Sequence, residues 1–208
     1  MNICISRTLS LLALVVASLL SCAMAPEPDP IPTKWQLDLR PGDLRLVSLA
    51  NGNEGPRAYA FLTYRVVNNT GQDLPFVPAF DLANDRGTVV RSGQNVPSGV
   101  TAQVLALVNN EFVQDQIGIL GTLQQGPENA KDGVVIWALP DLLTDALTVY
   151  GAGFSGETKP VTVTDPETGE KVRRTLRKVR RLQYATPGNL ILDQSKPLDI
   201  MADDWVMR

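Results

Sequence analysis

No histidine occurs among the 208 residues, and the two cysteines, Cys4 and Cys22, both lie in the first 22 positions. Without an imidazole the chain cannot assemble a Ser-His-Asp or Cys-His nucleophile, a histidine zinc site or a histidine general base. Beyond residue 22 it also lacks a thiol, which removes thiolate chemistry, cysteine metal sites and an internal disulfide from that part. No cofactor and no metal site is expected. The polar inventory reduces to carboxylates, hydroxyls, amides and basic groups, which suits recognition or scaffolding, and the chain is read as non-enzymatic. Its apolar content of 44% is that of a folded chain, and the length fits one domain with its own core.

The amino terminus has the order of an export signal: a short start with Arg7, an apolar run from Leu9 to Leu20, then Ser21-Cys22. The run falls short of the roughly 20 apolar residues of a spanning helix. Leu19-Leu20-Ser21-Cys22 resembles the bacterial lipobox, which implies cleavage before Cys22 and acylation of that residue. Ala23-Met24-Ala25 offers the alternative of an ordinary signal-peptidase site and a secreted protein, although it would leave Pro26 directly after the cut. The expected organisation is a signal peptide at 1–21, a lipidated Cys22 with a proline-rich spacer over 22–33, and a single β-sandwich domain over 34–208. Prolines at 26, 28, 30 and 32 favour an extended, polyproline-like tether. Alanine rather than aspartate at position 23 points to outer-membrane sorting, with the domain in the cell envelope facing the periplasm.

From Trp35 onward the pattern is one of short extended runs between turn residues. Trp35–Leu39 and Leu44–Leu49 alternate apolar and polar residues around Pro41-Gly42-Asp43, which reads as a turn. Tyr59–Val67 is the strongest strand, closed by Asn68-Asn69-Thr70-Gly71, and Leu74–Leu82 is a further extended segment marked as an edge by Pro75 and Pro78. Val100, Val104, Leu107, Val108 and Phe112 recur at helical spacing, predicting one helix over Val100–Val113 behind Pro97-Ser98-Gly99. Gly126–Asn129 and Asp132-Gly133 read as turns. Strands then return at Val134–Leu139, Ala146–Tyr150, Val161–Thr164 and after Lys171, with Asp165–Glu170 as a hairpin loop. The fold class expected is mainly all-β: an antiparallel β-sandwich with one inserted helix.

Phe61-Leu62-Thr63-Tyr64-Arg65-Val66-Val67-Asn68-Asn69-Thr70-Gly71, followed by Phe80-Asp81-Leu82 and Asp85-Arg86-Gly87, resembles the strand-Asn-turn-strand pattern of immunoglobulin-like domains on bacterial envelope lipoproteins. Gly121–Gly126, Gly133–Trp137 and Leu139-Pro140 extend the similarity, which covers roughly residues 57 to 150. The resemblance implies an immunoglobulin-like sandwich and no particular reaction or functional residue.

Three motifs invite chemistry. Gly151-Ala152-Gly153-Phe154-Ser155-Gly156 matches G-x-G-x-x-G, but a Val-Thr strand follows where a dinucleotide site needs a helix, so a glycine-rich strand end is expected. Asp81, Asn84 and Asp85, with Asp203 and Asp204, lack the spacing of a calcium loop. Paired carboxylates serving a periplasmic hydrolase remain the enzymatic alternative. The strongest charge feature is Lys171, Arg173, Arg174, Arg177, Lys178, Arg180 and Arg181, seven of the 19 basic residues within eleven positions that carry no acid. This segment reads as a strand rather than the basic amphipathic helix its Val172, Leu176 and Val179 also permit. It either pairs with the chain's own carboxylates or contacts a polyanion or membrane surface. With export and no interleaved stacking aromatics, nucleic acid is not expected as a partner. An envelope protein or glycan partner is expected beside the membrane contact through the lipid.

Overall fold

Along Tyr59–Val66 every second side chain points the same way, and this strand is buried on both faces: Ala60, Leu62, Tyr64 and Val66 join one hydrophobic cluster, Tyr59 and Phe61 another. It therefore needs cover on two sides. A computed structural model of the chain describes residues 33–52, 55–139, 144–186 and 196–208. The expected signal peptide, the lipidated Cys22 and the spacer up to residue 32 lie outside the described residues.

The strands are β1 (Asp38–Ala50), β2 (Pro56–Asn68), β3 (Leu74–Phe76), β4 (Ala79–Asn84), β5 (Val89–Arg91), β6 (Val113–Gln114), β7 (Gly121–Leu123), β8 (Gly126–Ala138), β9 (Ala146–Ala152), β10 (Thr158–Thr164), β11 (Lys171–Ala185) and β12 (Ile200–Met207). One sheet runs β1-β2-β8-β6 and the other β10-β11-β9-β4-β5, with β12 also paired to β11, while β3 and β7 form a small separate ribbon. The pairs are antiparallel except the two-residue β6–β8 pair, which is parallel. The fold is an all-β, sandwich-like arrangement of antiparallel sheets with an inserted helix.

The core between the two sheets takes Leu44 and Leu46 from β1, the inner residues of β2, and Val135 and Trp137 from β8. Phe80, Leu82, Leu147, Val149, Leu182 and Tyr184 meet them from the other sheet. Phe154 holds an aromatic cluster together, lying edge-on to Tyr64, Phe76 and Phe80 at 5.4–6.0 Å between ring centres. The second cover of β2 is helix α1 (Ser98–Val108), whose Val100 and Val104 close over Val47, Tyr59, Phe61, Val134 and Ile136.

Several expectations change in detail. The helix stops at Val108 rather than Val113, because Asn109 takes the left-handed conformation (φ 49°) and caps the last turn on Leu105 O; Phe112 is left exposed. Pro41-Gly42-Asp43 is a bulge inside one long strand, since β1 resumes the same pairing with β2 beyond it. Gly126–Asn129 and Asp132-Gly133 lie within β8 and do not turn the chain. Pro78 splits Leu74–Leu82 into β3 and β4, which belong to different sheets. Asn68 anchors its expected turn from within: its Nδ2 donates to Gln72 O and Leu123 O, and its Oδ1 accepts from Thr70 N and Oγ1.

Candidate functional site: a cationic hairpin arm

Strand β11 is 15 residues long, yet β9 pairs only with Arg180–Ala185 and β12 only with Lys178–Tyr184. Lys171–Leu176 pair with β10 alone, and Arg177, opposite Thr158 of β10, also exchanges backbone hydrogen bonds with Arg208 just beyond β12. Residues 158–177 thus form a two-stranded arm extending beyond the sheet, with almost every residue of β10 exposed. At about 3.4 Å per residue the paired part is about 24 Å long. Its tip is a built turn. Asp165 Oδ1 accepts from Glu167 N and Thr168 N, Asp165 N donates to Glu170 O (2.8 Å), and Gly169 supplies the left-handed residue at φ 71°.

The seven basic residues fall into two groups that adjacency in sequence does not reveal. Lys178, Arg180 and Arg181 lie where the arm joins the sheet, and each meets a carboxylate. Lys178 Nζ is 3.1 Å from Glu157 Oε2, with both side chains largely buried. Arg180 Nε is 2.5 Å from Asp203 Oδ1, and Arg181 grips Asp204 with Nε and Nη2 at 2.8 and 2.5 Å. Trp205 lies under both Lys178 and Arg180, at 5.5 and 5.2 Å from its ring centre. The Thr33 amide and Lys178 hold the Glu157 carboxyl below its ordinary range, and Arg181 does the same for Asp204. These three cations are structural.

Lys171, Arg173, Arg174 and Arg177 differ. Each is exposed, and among the described residues none meets a carboxylate. The hairpin register adds what sequence reasoning missed. Lys159 lies opposite Leu176, Val161 opposite Arg174 and Val163 opposite Val172. One face of the arm therefore carries Val161, Val163, Val172 and Leu176 with Lys159 and Arg174; the other carries Lys171, Arg173 and Arg177 among Thr158, Thr162, Thr164 and Thr175. Alternation within each strand was visible in the sequence. Which residues face each other across the arm depends on register, and Lys159 carried no signal of its own.

The acids considered for chemistry are occupied by local partners. Asp81 pairs with Arg208 (3.2 Å) and Arg91 (3.7 Å), and Asp85 accepts from Thr144 Oγ1 (2.6 Å), which lowers its pKa. Asp203 and Asp204 belong to the arginine pairs above. Among the described residues no group of three or more Asp, Glu, Cys or His could hold a metal ion, and no helix is long and apolar enough to cross a membrane. Gly151–Gly156 ends β9: Gly153 turns at φ 90° against Val77 O, and Gly156 lies against the Trp35 ring with its amide donating to Trp35 O (3.0 Å). That geometry opens no helix and leaves no phosphate cradle. A groove of about 350 Å³ beside the end of α1 is lined by Asp43, Arg45, Phe61, Thr63, Leu107 and Val108, and Asp43 and Arg45 pair with each other there.

Compared with known proteins, the chain matches no family model, no curated protein and no solved structure.

Proposed function

We propose that this chain is a non-enzymatic envelope lipoprotein, anchored through Cys22, whose immunoglobulin-like sandwich presents the 158–177 arm to an anionic partner. The observation that carries the reading is the division of the basic segment. Three cations are neutralised at the arm's root, while four project from a ribbon without an ion pair to any described carboxylate. Four like charges held within seven residues repel one another, and a fold that needed only a hairpin would form with threonines in their place. A binding role accounts for them. The lipobox-like Leu19–Cys22 and the proline-rich tether support the anchor, and the resemblance to envelope-lipoprotein domains belongs to the same proposal.

Two measurements test it. Labelled palmitate should enter the wild type and not Cys22→Ala, with the wild type in the outer-membrane fraction; equal soluble release of both proteins refutes the anchor. Salt-sensitive retention on an anionic matrix should vanish when Lys171, Arg173, Arg174 and Arg177 become Ser, and should survive Arg181→Ser. Retention unchanged by the four substitutions refutes the arm as the contact.

A further inference from the structure

The arm is amphipathic as well as cationic. Val161, Val163, Val172 and Leu176 sit on the face that, further along β11, becomes the core-facing side of Leu182 and Tyr184. In the domain that face is covered by the opposite sheet. Along the arm Val163 is 42% exposed, and the two cations Lys159 and Arg174 flank the apolar residues with no acid among them. A soluble polyanion would satisfy the cations and leave the valines in water. A bilayer surface satisfies both, since apolar side chains enter the acyl boundary while lysine and arginine reach the phosphates.

A second observation concerns where the tether joins the domain. Thr33 donates from its amide to Glu157 Oε1 at 2.5 Å and from Oγ1 to the same oxygen at 3.2 Å. Glu157 directly precedes β10 and holds Lys178, so the amino-terminal segment is fastened at the arm's root. The eleven residues from Ala23 to Thr33 reach roughly 40 Å at most, which keeps the arm's root within that distance of a lipid on Cys22. The tip carries Asp165, Glu167 and Glu170, which oppose tip-first entry into an anionic surface and favour contact along the ribbon's side.

Taken together these features lead us to propose that the valine face of the 158–177 arm lies on the anionic bilayer to which the protein is anchored. This rests on the envelope reading above and specifies its partner as phospholipid headgroups. The anchor holds the domain near the membrane, and the arm sets its orientation.

The test uses the full chain, processed in its host, with a tryptophan reporter introduced as Val163→Trp. It is mixed with vesicles of phosphatidylcholine and phosphatidylglycerol in which the phosphatidylcholine is brominated. Position 163 should gain quenching in anionic vesicles over the Val163 parent, and much less in pure phosphatidylcholine. Changing Lys159 and Arg174, the cations of the valine face, to Ser should weaken vesicle-dependent quenching roughly tenfold or more in anionic-lipid concentration, and changing Lys171, Arg173 and Arg177 on the other face should weaken it less. Val161→Thr with Val172→Thr, which keeps the β-branched shape, should weaken it roughly tenfold. Mass analysis of the same protein reads acylation separately. Acylated protein without quenching at 163 overturns the arm's role and leaves the anchor; quenching without acylation does the reverse. Heparin binding that ignores the two valines, with no quenching, assigns the arm to a soluble polyanion and overturns the proposal. So does salt-sensitive dimerisation in place of vesicle contact, which would assign the arm to the acidic body of a second copy.

Discussion

Lys178 Nζ and Glu157 Oε2 lie 3.1 Å apart with side chains only 7% and 16% exposed, and this single pair ties three segments together. Glu157 also accepts from Thr33, where the described chain begins, and its backbone carbonyl accepts from Lys178 N at 3.0 Å. The arm's two strands and the amino-terminal segment are thus joined at one buried carboxylate.

Removing one partner should therefore be costly. Lys178→Met leaves Glu157 charged and half-satisfied, and urea unfolding should show a loss of about 2–3 kcal/mol. The double variant Lys178→Met with Glu157→Gln should recover part of that loss, because no charge is then stranded. A double variant as unstable as the sum of the singles would mean the pair is not coupled.

Acid should loosen the same region. Glu157, Asp204 and Asp85 all have carboxyl pKa values below their ordinary range, through the Thr33 amide, Arg181 and Thr144 respectively. A carboxyl whose folded pKa is depressed stabilises the fold above its unfolded value, roughly 4, and loses that contribution as pH falls through the lower folded value. Thermal stability should be insensitive to these groups between pH 7 and 5 and fall below about pH 4. Glu157→Gln should lower stability at neutral pH and flatten the acid limb; an unchanged acid limb would exclude Glu157 as a contributor.

Gly133 on β8 lies opposite Tyr64 in the ladder, and a Cβ built there would come within 2.5 Å of Tyr64 Cζ and of Ile119 Cδ1. The tyrosine ring occupies the space a side chain would fill. Gly133→Ala should destabilise by roughly 1–3 kcal/mol through overpacking, read as a shift in denaturation midpoint without a change in slope.

The two groups of cations should separate in a stability measurement. Lys171, Arg173, Arg174 and Arg177 changed to Ser should leave the melting temperature nearly unchanged or raise it slightly by relieving like-charge repulsion. Arg181→Ser breaks a two-pronged contact with Asp204 and should cost up to about 1 kcal/mol, limited by solvent screening at this partly exposed site. Equal losses in both variants would contradict the division.

Periodicity in the sequence identified the sheet-forming segments well where two faces had distinct needs. Tyr59–Val67, Val134–Leu139 and Ala146–Tyr150 read as strands and fall in β2, β8 and β9, with β8 ending one residue sooner, at Ala138. It misled where a local signal served a longer element. Pro41-Gly42-Asp43 has turn chemistry, but β2 alongside keeps the chain extended, and Gly126 and Gly133 are absorbed by β8 because Asn68 and Tyr64 of β2 pair with them. At the helix, Phe112 continued the apolar period past Val108, and the left-handed Asn109 ended it sooner.

By itself the sequence determined which chemistry the chain beyond residue 22 can carry, having no imidazole and no thiol, and which segment holds its cations. It also determined the hairpin, through Asp165–Glu170 between two alternating runs. Tertiary structure alone decided which cations are available. Ion pairing acts over a few ångströms, and the neutralising carboxylates, Glu157, Asp203 and Asp204, stand 21 to 23 residues from their partners and meet them only when β12 and the root of β10 close against β11. The same closure reaches the Arg177 backbone through Arg208 and stops short of Lys171–Leu176, and that shortfall makes an arm of what the sequence presents as one continuous basic strand.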